Sequence, residues 1–301
     1  MYDINLKPKI VHIVIRKAIK YILIILLVFI LAGVTLILSS EQRIDDQSLT
    51  NDFNKSNINL NLHDSNKIRA WKTKGFKREN AIVFIHGAPG SGDQFNIYLK
   101  DSLLRNVADI ITLDRPGYGY SNYGNPQTNI QKQAESIFNT IYQIADSTQH
   151  IILVSHSFGG PIASYIGIRH PNKIKGHLML NPVMDPESEP MFWFSGAPLW
   201  WPIKYISSGA MKVAAHEKIS HPEELESLSH LWTKSKIPTI MIQGRKDWLA
   251  PFENAQFVKD HFDPDFIKVK ILDESSHFVP FNQTDYVIEQ ILELIHQAQK
   301  Q

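Results

Sequence analysis

From about residue 57 onward, apolar runs of strand length alternate with segments of helical periodicity, and this alternation restricts the possible folds more than any other feature of the chain. The runs are 81–85 (AIVFI), 110–113 (IITL), 151–155 (IILVS), 177–181 (HLMLN), 238–243 (PTIMIQ) and 267–272 (IKVKIL). Helical patterns lie near 93–105, 127–147, 158–170, 251–262 and 284–299. Several runs are apolar at consecutive positions, so both faces of their sheet must be covered. Strands that alternate with helices predict an α/β fold, a mainly parallel sheet flanked by helices. Segment 57–72 alternates with period two in part and predicts an edge hairpin. Over fifty residues separate the runs at 177–181 and 238–243. They hold the aromatic stretch MFWFSGAPLWWPIKYI at 191–206 and a helical pattern over 221–234. A connection this long predicts a small cap, at about 185–235, over the carboxyl edge of the sheet.

The first fifty-six residues read differently. Residues 21–38 carry no charge, and at ~1.5 Å per residue they reach ~27 Å, close to the ~30 Å of a hydrocarbon core. Lys7, Lys9, Arg16, Lys17 and Lys20 precede them, and Glu41, Arg43, Asp45 and Asp46 follow. This asymmetry predicts a basic cytoplasmic segment at 1–20, a transmembrane helix at 21–38, and the domain at 57–301 on the outer side, periplasmic or extracellular. The alternative is a cleaved signal peptide, although the run is long for one and no small-x-small cleavage site follows it. Residues 39–56 are polar, without a periodic apolar face, and read as a tether. The net charge of +1, with no basic block in the domain, argues against a nucleic-acid surface. The absence of cysteine excludes disulfides, thiolate metal sites and a cysteine nucleophile.

Two serines, Ser155 and Ser157, stand where the run at 151–155 meets the next helical segment (ILVSHSFGGPIA, 152–163). A nucleophile on a sharp strand-to-helix turn needs small residues two positions before and after it. Ser157 has Ser155 and Gly159 there; Ser155 has the bulky Leu153. Ser157 is therefore the candidate, and the helix that follows it would offer free N–H groups to a developing oxyanion. Asp247 and His277 each fall a few residues past an apolar run. Parallel strands bring their carboxyl ends to one edge, so all three residues are expected on the same side of the sheet.

Four features together, FIHGAPGSG (84–92), LDRPGYGYS (113–121), VSHSFGG (154–160) and the Asp247/His277 pair, make residues 57–300 resemble the α/β-hydrolase superfamily in its lid-bearing branch of small hydrolases. The resemblance implies Ser157 as nucleophile, His277 as general base and Asp247 as its orienting acid, with Asp185 a competing acid. It implies an oxyanion hole from the backbone N–H groups of Ala88 and Phe158. His86 is expected to buttress the glycine-rich turn and Arg115 to make structural hydrogen bonds, a substrate role being the alternative. The side chain of His156 is expected to point away from Ser157. The family has glycine where this chain has Ser155, whose hydroxyl is expected to bond nearby backbone.

Haloalkane dehalogenases and epoxide hydrolases of this superfamily use an aspartate at the elbow, so Ser157 favours acyl transfer without metal or organic cofactor. The cap aromatics Phe192, Trp193 and Trp200 are candidate substrate contacts, Phe194, Trp201 and Tyr205 lie in the same stretch, and the membrane is the rival partner for this patch. A small-molecule or lipid-like ester is the expected substrate. Thioesterase, carbon–carbon bond hydrolase, peptidase and acyltransferase reactions stay open; HGAPG resembles the HGGPG of proline iminopeptidases in one turn only. Outside enzymes, a catalytically silent binding module and a tethered scaffold remain. The oligomeric state is not legible.

Overall fold

The computed structural model describes residues 15–25, 27–28, 43–65, 67–76, 79–146, 148–193 and 195–299. Eight strands form one sheet: β1 (Leu60–Ser65), β2 (Ile68–Thr73), β3 (Asn80–Ile85), β4 (Ala108–Leu113), β5 (His150–His156), β6 (Ile174–Leu180), β7 (Thr239–Gly244) and β8 (Ile267–Leu272). Their order is β1-β2-β4-β3-β5-β6-β7-β8. The expected hairpin is β1–β2, antiparallel to each other and joined antiparallel to β4, and β3 to β8 run parallel.

Each parallel strand sends alternate residues to opposite faces. In β3, Ala81, Val83 and Ile85 pack on one side with helices Ile130–Ile144 and Gly159–Arg169, while Ile82 and Phe84 pack on the other with helix Thr284–Ala298. Both faces are thus buried, as the unbroken apolar runs require. The helical pattern near 93–105 breaks into a 3-10 turn (Gly92–Phe95) and two short helices, Asn96–Lys100 and Ser102–Val107, with Asp101 capping the second through a 2.8 Å bond from Leu104 N.

Two expectations are corrected. The tether reading of 39–56 gives way over Asp46–Asn54, which form an α-helix with Asp45 as N-cap. Leu49 and Phe53, four apart, are fully buried against the second core layer. Each contributes roughly 1.5–3 kcal/mol by burial, enough to dock a helix whose own sequence has little amphipathic character. The cap helix also starts earlier than the 221–234 pattern predicts: it runs Gly209–Leu228, capped by Ser208, with Pro222 inside it and a 3-10 stretch over Ser229–Lys234. Buried Val213, Glu217, His221, Leu225 and Leu228 tie it to the body along its whole length, which outweighs the proline.

Residues 15–25 and 27–28 are helical. Among the described residues no helix is long and apolar enough to cross a membrane. Residues 1–14 of the basic segment, 26 and 29–38 of the expected span, 39–42 of the expected tether, and Phe194 lie outside the described residues.

Candidate active site

The carboxyl ends of β3, β5, β7 and β8 build the site. β5 ends at His156, and Ser157 turns the chain with φ +53° before helix Gly159–Arg169 begins. A left-handed φ at a non-glycine residue is strained and persists only where the surroundings enforce it. Here Ser157 N donates to Leu180 O (3.0 Å), and Gly160 N donates to Ser157 O (2.8 Å). Gly159 lets the helix approach β3: a Cβ there would lie 2.5 Å from Ile85 O. Gly87, on the turn after β3, passes as close on the other side, since a Cβ on it would lie 2.9 Å from Ser157 Cβ.

Ser155, two residues earlier on β5, is fully buried. Its hydroxyl lies 2.7 Å from His177 Nε2 on β6, and not on backbone as expected. In the β5–β6 register His177 pairs with Leu153 and Ser155 with Met179, so His177 is the diagonal neighbour on the same face. The extra hydroxymethyl is absorbed by a side-chain partner on the next strand.

Asp247 and His277 meet because the pairing of β7 and β8 continues past their ends: Arg245 N donates to Leu272 O (3.0 Å) and Lys246 N to Ser275 O (3.0 Å). His277 Nδ1 then lies 2.8 Å from Asp247 Oδ2. The carboxylate is fully engaged. Oδ1 accepts from Leu249 N (2.9 Å) and Ala250 N (2.8 Å), and Oδ2 accepts also from Asn181 Nδ2 (2.7 Å). Asn181 follows β6 with φ +46° and was not singled out in the sequence. Asp185 is engaged elsewhere: its Oδ1 accepts from Glu187 N and its backbone N–H donates to Asn254 Oδ1.

Ser157 and His277 line one cavity of about 390 Å³, with Ala88 and Phe158 on the two turns that flank Ser157. His156 also lines this cavity, and its ring turns to His277: its Nε2 lies 3.0 Å from His277 O and its ring packs 4.7 Å from that of His277. Of the three cap aromatics, Phe192 lines the cavity. Trp193 and Trp200 stack on each other at 6.2 Å outside the lining, Trp193 being 81% exposed. Leu249, Phe278 and Phe281 supply apolar walls that sequence reasoning missed.

Behind the turn at Gly87 and Ala88, His86 Nε2 accepts from Arg115 N (2.8 Å), and its Nδ1 lies 2.7 Å from Gly87 O. One neighbour can only donate and the other only accept, which sets a neutral ring with its proton on Nδ1. Arg115, fully buried, donates to Gly87 O (3.0 Å), to Gln133 Oε1 (2.7 Å) and to both oxygens of Glu217 on the cap helix (2.8 and 3.1 Å). The structural role expected of Arg115 is thus a clasp between the turn at Gly87 and the cap.

Three buried imidazoles carry a pH dependence. Burial pushes the His177 ring down to about 3. Burial, and then the charge of neighbouring His277, bring His156 to about 3. Burial and Arg115 hold His86 well below the ordinary value. Unfolded, each would titrate near ~6.5. Their contribution is fully present above that pH and is lost as pH falls below it, towards about 3 for His177 and His156, because the unfolded chain takes up protons the native state refuses. Each ring weakens folding about tenfold per pH unit in that window. The melting temperature is expected to fall steeply from pH 7 to pH 5; a flat profile would contradict neutral buried rings.

Residues 80–210 match the family model described as alpha/beta hydrolase fold. Human epoxide hydrolase 4 is 21% identical over 280 residues, spanning 76% of this chain and 75% of that protein. A membrane phospholipase A described as a bacterial virulence factor superposes with a TM-score of 0.59 at 17% identity, covering 92% of this chain and 99% of that one. The peroxisomal alpha-beta-hydrolase Lpx1 of Saccharomyces cerevisiae superposes with a TM-score of 0.62 at 14% identity, covering 80% and 89%. At such identities the likeness to solved structures is one of fold, which by itself does not carry an activity. Over residues 80–210 the chain is thus similar to the alpha/beta hydrolase fold family, and the superpositions show that it shares the fold of these hydrolases.

Proposed function

We propose that the protein is a serine hydrolase that acts through an acyl-enzyme on carboxylic esters or lipid-like acyl substrates. The observation that carries this reading is Ser157, on a strained turn at the end of β5, sharing one cavity with a histidine whose Nδ1 is held by a buried carboxylate. With Nδ1–H donated to Asp247, the neutral His277 ring keeps its lone pair on Nε2. That nitrogen takes the Ser157 proton as Oγ attacks the substrate carbonyl. The Asp247 carboxylate stabilises the imidazolium, and the N–H groups of Ala88 and Phe158 receive the oxyanion. His277 returns the proton to the leaving alcohol, the acyl-enzyme forms, and water repeats the sequence to release the acid.

The human relative's name refers to epoxide hydrolysis. An epoxide opened by a serine would leave an ether on the protein, which water does not cleave under these conditions, so Ser157 favours acyl substrates. The reading includes the apolar stretch 21–38 as a membrane anchor with the domain outside, supported by the preceding basic residues. It is also supported by an exposed aromatic cap surface in which Trp201 and Tyr205 are 77% and 72% exposed.

A membrane-impermeant fluorophosphonate probe tests the whole reading. Applied to intact cells, it is expected to label a protein that stays with carbonate-washed membranes, and labelling is expected to disappear in Ser157→Ala. Folded wild-type protein that resists the probe even after lysis would favour a binding module. Labelling only after lysis would overturn the orientation, and a labelled soluble species would overturn a retained anchor.

A further inference from the structure

The Ser157 cavity holds a second carboxylate–imidazole pair, contributed by the cap. His221, on helix Gly209–Leu228, is buried with its ring stacked on Phe158 at 4.2 Å between centroids. Its Nδ1 lies 2.9 Å from Glu189 Oε2, and Lys218 forms an ion pair with the other oxygen, Oε1. Glu189, Lys218 and His221 all line the cavity together with Ser157 and His277. His221 Nε2 is buried and has no hydrogen-bond partner among the described residues. Leaving such an atom unpaired costs about 1–3 kcal/mol, and in a binding cavity a ligand atom can remove that cost.

The donor and acceptor assignment follows from Glu189. Both carboxylate oxygens are engaged and can only accept. Burial would raise the Glu189 carboxyl, but the hydrogen bond from His221 and the charge of Lys218 hold it below the usual carboxylate range. Nδ1 of His221 therefore carries the proton, and in the neutral ring Nε2 is an acceptor. Lys218 already offsets the charge of Glu189, so the trio presents no net positive charge to an anionic group. The remaining walls are largely apolar, with Val183, Phe192, Leu249 and Phe281 among them.

We propose that His221 is a specificity-determining residue: its Nε2 accepts a hydrogen bond from a free hydroxyl of the substrate, which makes hydroxyl-bearing esters the preferred class. The inference rests on the serine-hydrolase reading of the same cavity. A polar group that is matched when the hydroxyl is present and orphaned when it is absent discriminates in the transition state as well as in binding, and one neutral hydrogen bond is worth about tenfold.

The test compares kcat/KM for a 2-hydroxyethyl ester, the isosteric propyl ester and the 2-methoxyethyl ester of one fatty acid, and for a second series with the hydroxyl moved to the acyl chain. In one series the hydroxyl ester is expected to be favoured about tenfold over its methyl counterpart. The methoxy ester should show no such advantage, because it cannot donate. In His221→Phe, which keeps a ring against Phe158, the hydroxyl ester is expected to lose its advantage, and in His221→Gln, whose amide oxygen accepts, to regain part of it. A cooperative thermal melt checks that each variant folds, and the methoxy comparison stands on the wild type alone. No preference in either series, an equal preference for methoxy, or a preference that survives His221→Phe would overturn the proposal. Fluorophosphonate labelling of Ser157 is run in parallel. Labelled protein without hydroxyl preference would overturn the subsite alone, and unlabelled folded protein would overturn both readings.

Discussion

Asp247→Asn is expected to lower kcat for a susceptible ester by about four orders of magnitude, with the thermal melt little changed. The reason lies in which oxygen faces which partner. Leu249 N and Ala250 N both donate to Oδ1, so an asparagine keeps its carbonyl there and puts its NH2 where Oδ2 now meets His277 Nδ1. An NH2 can only donate, so His277 must move its proton to Nε2, the nitrogen that the proposed mechanism requires to accept from Ser157. Geometry is preserved and the tautomer is wrong, a change worth about 10⁴ in kcat in serine proteases. Asn181 need not resist the exchange. Its Nδ2 now donates to Oδ2 and to Ser276 O (3.3 Å) while its Oδ1 has no partner, and a flip of its amide restores the bond to residue 247 at the cost of the longer one to Ser276. Steady-state rates and melts on the purified variant read both halves of the expectation. Activity within about tenfold of wild type would mean that another group orients the base.

Glu217→Ala is expected to be the most damaging single substitution for stability outside the apolar core, at about 3–5 kcal/mol. The side chains of Arg115 and Glu217 are both fully buried. Glu217 also accepts from Tyr118 Oη (2.6 Å) and Gln133 Nε2 (2.9 Å). Removing the carboxylate strands a fully buried guanidinium that is always charged and leaves two further donors short of an acceptor. The same change cuts the cap from the turn at Gly87, because Arg115 reaches Gly87 O and Glu217 at once. Urea unfolding should show a lower midpoint, and ester hydrolysis should fall in protein that remains folded. Replacing both partners with apolar residues of similar volume is expected to cost less than removing Glu217 alone, since no charge is then orphaned. A double variant as unstable as the single one would locate the effect in packing.

The sheet was legible because its signals are local. Ile82 and Phe84 face one layer and Val83 and Ile85 the other, so a continuous apolar run could only be a strand covered on both sides. The turn at Ser157 was legible through the small residues around it. Helix Asp46–Asn54 was not: two buried side chains hold it, and two apolar positions do not make a periodicity. Among the aromatics of 191–206, composition could not separate Phe192, which reaches the cavity, from Trp193 and Trp200, which stack outside it. A Trp indole is equally apolar in either place.

By itself, then, the sequence determined the succession of strands and helices, the parallel edge to which Ser157, Asp247 and His277 all come, and the presence of an inserted cap. Periodicity and turn chemistry act over a few residues and are written in the chain directly. Only the tertiary structure decided the partner of each buried polar atom: Asn181 on Asp247, His177 on Ser155, Glu217 on Arg115, Glu189 on His221. Those pairs join residues 22 to 102 positions apart. A buried donor or acceptor must be satisfied by whatever the fold brings beside it, and that choice is made only when distant strands and the cap close on one another.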